Sequence, residues 1–271
     1  MSFQPALPLS GLAGWRFLER TLDTQQAAFA EAPALARDAD HFRARIGEID
    51  TAEALVADRR LLTVALGAFG LQQDIDNRFF VRKILEDGTA RPDALANRLA
   101  DKRYADFARA FAFDAPQGPA TQRPGFGQEV AARFERQSFE AAVGEQDESL
   151  RLALNADREL AALAAAPGTE RTKWFRIMGT PPLRRVVETA LGLPESFGAQ
   201  DIDKQIETFQ ARSDRMIGTR DVSALADAET RDALIQRFLF QDQIARAPAT
   251  AAPGSVALTL LQNAARGPSL F

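Results

Sequence analysis

Apolar residues recur at intervals of three and four along almost the whole chain. This spacing places them on one face of an α-helix, whereas a half-buried strand alternates every second residue. No comparable run of alternating β-branched residues occurs in the sequence. The helical pattern is clearest in the segments that begin at Trp15, Leu55, Phe80, Val130, Ile202 and Leu234. The sequence therefore predicts an all-α, multi-helical globular protein.

Composition narrows the classes of function. The chain has 271 residues, 46% of them hydrophobic and 26% charged, which is enough to build the cores of one or two domains. Its net charge of −4 argues against nucleic acid as a partner, because there is no excess of basic residues to attract phosphates. The absence of cysteine excludes disulfides, thiol nucleophiles and cysteine metal sites.

The sequence predicts neither a classical export signal nor insertion into a membrane. Pro5 and Pro8 interrupt the first apolar residues and Arg16 follows them, so a cationic region followed by a continuous apolar stretch is missing. The longest uncharged stretches are residues 61–73, which are too few to span a bilayer, and residues 247–265, which contain proline, glycine and polar residues.

Proline and glycine divide the chain into five segments. The sequence DAPQGPATQRPGFG, residues 114–127, contains three prolines and three glycines, which no helix can cross. We therefore expect an N-terminal helical arm (1–30), a helical half (31–114), a Pro/Gly-rich connection (115–127), a second helical half (128–245) and a C-terminal tail (246–271). Residues 256–265 of the tail are expected to form a short amphipathic helix that either binds a partner or packs on its own domain.

A faint internal repeat relates the two expected halves. Residues 59–62 (RRLL) and 184–187 (RRVV) are each followed by Ala-Leu-Gly and then by Asp-Ile-Asp. The pattern favours two related helical halves packed on each other, since two copies are too few for an open solenoid. Chance recurrence of such short motifs in a sequence of biased composition is an equally good explanation.

Residues with catalytic potential are few. His41, the only histidine, lies beside Asp38 and Asp40, yet no serine nucleophile motif or paired metal-binding histidine accompanies it, which favours a surface or packing role. Residues 74–77 (DIDN) begin like a calcium loop, but the ligands that should follow are missing. Asp74 or Asp76, and likewise Asp201 and Asp203, are instead expected to cap the next helix.

The remaining motifs favour structural roles. Gly125 and Gly127 lack the third glycine, the strand and the lysine of a phosphate-binding loop. The arginine pairs at 59–60 and 184–185 are typical of solvated helix faces. Trp15 and Trp174 are predicted to anchor the core or an interface. The sequence therefore assigns no catalytic, cofactor-binding or metal-binding residue and predicts no cofactor.

Several motifs resemble domain of unknown function 1217, a family of uncharacterised bacterial proteins. They are DRRLL (58–62), ALGAFGL (65–71), FVRKILE (80–86), ANRLADKRY (96–104) and ARAFAF (108–113), with a weaker likeness over residues 134–240 that includes FEAAVG (139–144). The resemblance implies no catalytic residue. It does imply a link to the flagellum, because members of the family are often encoded in flagellar gene clusters of α-proteobacteria.

We therefore expect a non-enzymatic, flagellum-associated protein that acts through protein–protein contacts, either as a structural component or as an assembly factor. Its partners would be other proteins, including flagellar subunits, and it would be cytoplasmic or reach the flagellum by a non-classical export route. Two alternatives stay open. One is a cytosolic export chaperone or regulator. The other is an enzyme or ligand-binding domain, which a deep pocket of convergent Asp, Glu and Arg residues with perturbed pKa values would favour.

Overall fold

The computed structural model describes residues 4–246, and this part of the chain contains thirteen α-helices and no strand. The all-α prediction is confirmed. The helices are α1 (Gly11–Ala30), α2 (Pro33–Arg45), α3 (Ala52–Ala57), α4 (Arg59–Ala68), α5 (Arg78–Asp87), α6 (Leu95–Arg98), α7 (Arg103–Phe111), α8 (Phe126–Gln146), α9 (Glu148–Ala165), α10 (Glu170–Met178), α11 (Pro181–Ala190), α12 (Ile202–Ile217) and α13 (Ala228–Arg246).

Side-chain caps define where several of these helices begin. The carboxylate of Asp58 accepts hydrogen bonds from the backbone N–H groups of Arg60 and Leu61 at the start of α4. Asp147 caps α9 in the same way, and Asp201 caps α12. Such a cap satisfies backbone donors that have no partner inside the helix, and it is typically worth about 1 kcal/mol. The prediction that Asp201 is a cap is confirmed.

The prediction of a cap at Asp74 or Asp76 is wrong. Helix α5 follows Asn77 and has no side-chain cap. Asp74 lies buried in a short 3-10 turn, where it accepts hydrogen bonds from the Tyr104 hydroxyl at 2.6 Å and from Asn77 Nδ2 at 2.9 Å. Burial, together with this bond to Asp74, raises the pKa of Tyr104 to about 12. Both oxygens of the Asp74 carboxylate thus accept from side chains, and neither accepts from a backbone N–H at the start of α5.

Asp76 and Asp203 are also part of the two Asp-Ile-Asp motifs. Each forms an ion pair with an arginine on the surface. Asp76 forms an ion pair with Arg59 at 2.8 Å. Asp203 bonds to Arg171, and Asp201 is the residue that caps α12. Asp203 thus lies in the first turn of α12, where its charge suits the helix dipole as predicted, whereas the predicted cap hydrogen bonds are made by Asp201 alone.

Buried side chains form two hydrophobic clusters. The first core is built from α2 to α7 and the beginning of α8, and it includes Phe42, Leu62 and Phe107. The second core is built from α1, the end of α8 and α9 to α13, and it includes Trp174, Phe209 and Phe238. Trp174 stacks on Phe209 with ring centroids 5.5 Å apart, in the anchoring role predicted for it.

Helix α8 belongs to both cores. Phe126 and Phe134 lie in the first core, while Phe139 and Val143, further along the same helix, lie in the second. The close packing of α4 on α8 depends on Gly67, since a Cβ at this position would lie only 2.5 Å from the Phe134 ring. Because α8 runs through both clusters, it fixes the position of one core relative to the other.

The expected N-terminal arm contributes to the second core. Helix α1, in the expected arm, inserts Trp15 and Leu18 into the second core, and Trp15 Nε1 donates to Asp232 at 3.2 Å. Helix α8 starts at Phe126, after Gly125 in a left-handed conformation (φ +85°), so the last two residues of the expected Pro/Gly-rich connection (115–127) are helical. The amphipathic segment 256–265 lies outside the described residues. Across residues 4–246, the helices are all too short or too polar to span a bilayer.

Candidate ligand-binding cavity between the cores

A cavity of 740 Å³ lies where the two cores meet. The first core contributes Phe69 and Gly70, at the end of α4, and residues of α7. The second core contributes residues of α10 and α11, while the long helices α8 and α9 supply the remaining wall. We call this space the inter-core cavity. Its volume is within the range of about 300–1,000 Å³ that is usual for sites that bind small molecules.

Helices α8 and α9 each present one face to the inter-core cavity. On α8 the lining residues are Arg133, Gln137, Glu140 and Ala141; on α9 they are Arg151, Asn155, Glu159, Ala162 and Leu163. The intervals of three and four residues place each set along one side of its helix. The local helical structure of two consecutive segments therefore brings these polar groups together.

The charged side chains that line the inter-core cavity are predominantly basic. Six are basic and three are acidic: Arg103, Arg109, Arg133, Arg151, Lys173 and Arg176 against Asp106, Glu140 and Glu159. This excess of positive charge contrasts with the negative charge of the whole chain. A concave surface lined by one sign of charge concentrates ligands of the opposite sign.

Most of these basic groups are held by partners in the protein. Arg103 binds both carboxylate oxygens of Asp101 and donates to the Gly70 carbonyl at 2.5 Å. Asp106 pairs with Arg109 at 2.9 Å and also with Arg176 of the second core. Bonds of this kind satisfy the guanidinium donors and fix the positions of these side chains.

Lys173 has a structural role in the cavity wall. It is 5% exposed, and its ammonium donates to the Ala164 carbonyl at 2.7 Å and to Ser223 Oγ at 2.6 Å. The Ser223 hydroxyl in turn donates to Glu170. The Lys173 ammonium donates both bonds and so links the end of α9 to the turn that contains Ser223. A lysine base that activates a serine would instead accept the hydroxyl proton.

Arg133 differs from the other arginines of the inter-core cavity. Within residues 4–246 its one carboxylate neighbour at ion-pair distance is Glu159, at 3.8 Å, and its buried Nε donates no hydrogen bond there. The guanidinium stacks on the Phe69 ring, 4.1 Å from the centroid, and the side chain is 34% exposed. Burial lowers the pKa of Arg133, and the charge of Glu159 opposes this only in part. Its guanidinium is thus a weakly compensated cation in a cavity.

Asn155 is the second polar group of the inter-core cavity that lacks a partner. Its residue is 8% exposed, and its buried Oδ1 accepts no hydrogen bond from residues 4–246. An unsatisfied buried acceptor costs about 1–3 kcal/mol. Asn155 and Glu159 are four residues apart on α9, or about 6 Å along the helix axis. Glu159, whose carboxylate is 3.8 Å from Arg133, therefore lies one helical turn from Asn155 on the cavity face of α9.

The residues considered from sequence lie elsewhere. His41 Nε2 is 3.2 Å from Asp58 Oδ2, between α2 and the start of α4, and does not line the inter-core cavity. The arginine pairs form surface ion pairs, such as Arg60 with Asp38 at 3.1 Å. Residues 4–246 contain no group of three or more His, Asp or Glu side chains that could hold a metal ion. Sequence reasoning missed Arg133 and Asn155.

Comparisons with known proteins identify relatives without a known activity. The profile of a family described as "Protein of unknown function (DUF1217)" matches residues 68–230. A crystal structure of a structural-genomics target from Agrobacterium tumefaciens is similar to this chain, with 25% sequence identity and a TM-score of 0.71 over 90% of this chain and 99% of that one. No functionally curated protein matches the sequence.

Proposed function

The chain belongs to the DUF1217 family of proteins of unknown function, and we propose from its inter-core cavity that it binds a small anionic molecule between its two cores. The anion is a carboxylate or a phosphate ester, because both match the planar donors of a guanidinium. The proposal is of binding, without a chemical step. It takes up the ligand-binding alternative that the sequence left open.

The observation that carries this proposal is the state of Arg133. Its guanidinium faces a cavity, stacks on Phe69 and has Glu159 as a partner only at 3.8 Å. A bound anion would supply the acceptors that this cation lacks and would oppose the lowering of its pKa by burial. The apolar lining residues Ala141, Ala162, Leu163 and Leu183 would contact an apolar part of the ligand.

The position of the inter-core cavity in the chain adds support. Its lining runs from Phe69 to Leu183, so every lining residue falls inside the range 68–230 that the family profile matches. The cavity is thus built wholly from the part of the chain that defines the family. Helix α1, and α13 beyond residue 230, fall outside this range.

The test is a binding titration by ligand-observed NMR with hexanoate and hexyl phosphate, two probes that share an alkyl body and differ in the anion. We expect one or both to bind to the wild type and to lose affinity in Arg133→Met. Arg136→Met is the matched control, because Arg136 is exposed on the same helix and does not line the cavity. Absence of binding by both probes, or equal affinity in wild type and Arg133→Met, would refute the proposal.

A second candidate function is the expected role in flagellar protein contacts. Four large apolar side chains are exposed where α1 and α13 adjoin: Leu9 (53%), Leu12 (41%), Phe240 (61%) and Ile244 (54%). Gly11, between the first two, lies next to Gln243, between the last two. Clustered exposed apolar residues are typical of surfaces that bind other proteins.

Cell fractionation tests this second function. A tagged chain is followed in cytosol, purified hook–basal bodies and medium, in wild-type cells and in a flagellar-export mutant. Export-dependent appearance outside the cytosol that is lost in Phe240→Ser but kept in Phe79→Ser would support it. Phe79 is the matched control because it is an apolar residue of α5 that is 75% exposed. Purely cytosolic protein in both strains would contradict a structural component and leave a chaperone or regulator.

A further inference from the structure

Two residues that line the inter-core cavity each carry an unsatisfied buried atom, and the two atoms have opposite hydrogen-bonding character. Arg133 Nε is a donor and Asn155 Oδ1 is an acceptor, and both are buried without a partner in residues 4–246. A simple anion satisfies the donor alone, because it has no hydrogen to offer the amide oxygen. The acceptor at Asn155 therefore requires a hydrogen-bond donor on the ligand, which Arg133 does not.

Resting on the proposed function, we infer that the ligand is an organic anion that also carries an uncharged hydrogen-bond donor, of the hydroxy-acid class. Its anionic group accepts from Arg133 while its hydroxyl donates to Asn155 Oδ1. The apolar part of the ligand lies against apolar lining residues of the same face of α9, which continues to Ala162 and Leu163 beyond Glu159. A site that hydrogen-bonds a ligand hydroxyl discriminates against the analogue without it, because the buried acceptor is then left unpaired.

Charge selects a hydroxyl, or a similar neutral donor, over an ammonium. The cavity is lined by six basic and three acidic side chains, so a second positive charge on the ligand would meet net repulsion. Arg151, one turn before Asn155 on α9, is among these basic residues. Its partner Glu148, at 2.6 Å, holds Arg151 but does not itself line the cavity. A neutral donor satisfies Asn155 without this repulsion.

The positions of Asn155 and Glu159 on α9 guide the choice of ligand length. Asn155 and Glu159 are about 6 Å apart along α9, and Glu159 is 3.8 Å from Arg133. A donor several bonds away from the anion suits this arrangement better than a donor on the adjacent carbon. Flexible six-carbon chains cover the range, because they can bend to meet a shorter separation.

The test compares three probes with the same chain length: hexanoate, 6-hydroxyhexanoate and 6-aminohexanoate. We expect the wild type to bind 6-hydroxyhexanoate about 3- to 10-fold more tightly than hexanoate, which is the effect of one neutral hydrogen bond. The amino acid should bind no more tightly than hexanoate. Asn155→Leu should remove the difference between hexanoate and 6-hydroxyhexanoate, and Arg133→Met should weaken the binding of both.

The outcomes separate this inference from the proposed function. Equal affinities for hexanoate and 6-hydroxyhexanoate in the wild type would overturn the inference, although binding that depends on Arg133 would leave the proposed function intact. A preference that persists in Asn155→Leu, or tightest binding of 6-aminohexanoate, would also overturn it. Binding by none of the three, together with no binding of hexyl phosphate, would overturn both. If Asn155→Leu fails to fold, the wild-type comparison of the three probes still decides.

Discussion

Arg158 on α9 and Arg133 on α8 both lie near the carboxylate of Glu159, but their hydrogen-bond partners differ. In the first region, which we call the paired site, Arg158 bonds to both oxygens of Glu140, at 2.8 and 3.0 Å, and also to Glu159 Oε1. In the second region, the open site, Arg133 is 3.8 Å from that same Glu159 oxygen, and Asn155, one turn before Glu159 on α9, has an Oδ1 that accepts no hydrogen bond from residues 4–246.

Burial alone does not explain this difference. Burial lowers the pKa of both arginines, but hydrogen bonds to Glu140 and its charge outweigh burial for Arg158, so that the pKa of Arg158 is raised. For Arg133 burial prevails and the pKa is lowered. The protein thus satisfies Arg158 within its own structure and compensates Arg133 only in part, which is the condition that the proposed anion site requires.

Loss of the ion pair in the paired site should lower the stability of the protein more than any other change considered. Arg158→Met should reduce the free energy of unfolding by about 3–5 kcal/mol, because it leaves Glu140, which is 4% exposed, as an uncompensated buried charge. Arg133→Met is the matched contrast on the open site and should change the free energy of unfolding by less than about 1 kcal/mol. Urea unfolding of the three proteins measures both values. Similar losses in the two variants would show that Arg133 is as structural as Arg158.

A smaller effect of opposite sign is expected at Asn155. Asn155→Leu replaces an unsatisfied buried acceptor by an apolar side chain of similar size, so stability should rise by about 1 kcal/mol. Asn97→Leu is the control, because the Asn97 amide donates to the carbonyls of Thr89 and Arg91, at 3.0 and 2.7 Å. This control should lose stability. A loss at Asn155 comparable to that at Asn97 would show that the Asn155 amide is already satisfied in the protein.

The sequence predicted the helices of this fold because their apolar residues follow the period of the helix itself. It also predicted the buried tryptophans and the cap at Asp201. Local spacing was less reliable where a partner distant in sequence decides the outcome. Asp74 looked like a cap from its neighbours, but Tyr104, thirty residues away, holds its carboxylate.

The open site could not be predicted from sequence for a related reason. Arg133, Gln137 and Glu140 recur at helical spacing, as do Arg151, Asn155 and Glu159, and such polar stripes are typical of solvent-facing surfaces. What turns them into a cavity wall is the packing of α8 and α9 next to α7 and α10. The lone signal in the sequence is Asn155, an uncharged polar residue next to Leu154 and Ala156 in a segment rich in buried residues.

The ion pair of Arg151 with Glu148 lies closer to the surface and should contribute least to stability. A hydrogen bond from Arg151 lowers the pKa of Glu148, whose side chain is 37% exposed. A carboxylate with a lowered pKa stabilises the folded state above its unfolded pKa of about 4.3, and this contribution is lost as the pH falls through the folded value. Glu148→Gln should therefore reduce stability at pH 7 by a few tenths of a kcal/mol, as exposed pairs do, and by less at pH 3, where the carboxylate becomes protonated. Unfolding free energies at the two pH values measure the difference, and a deficit that is equal at both would show that Glu148 acts through packing instead of charge.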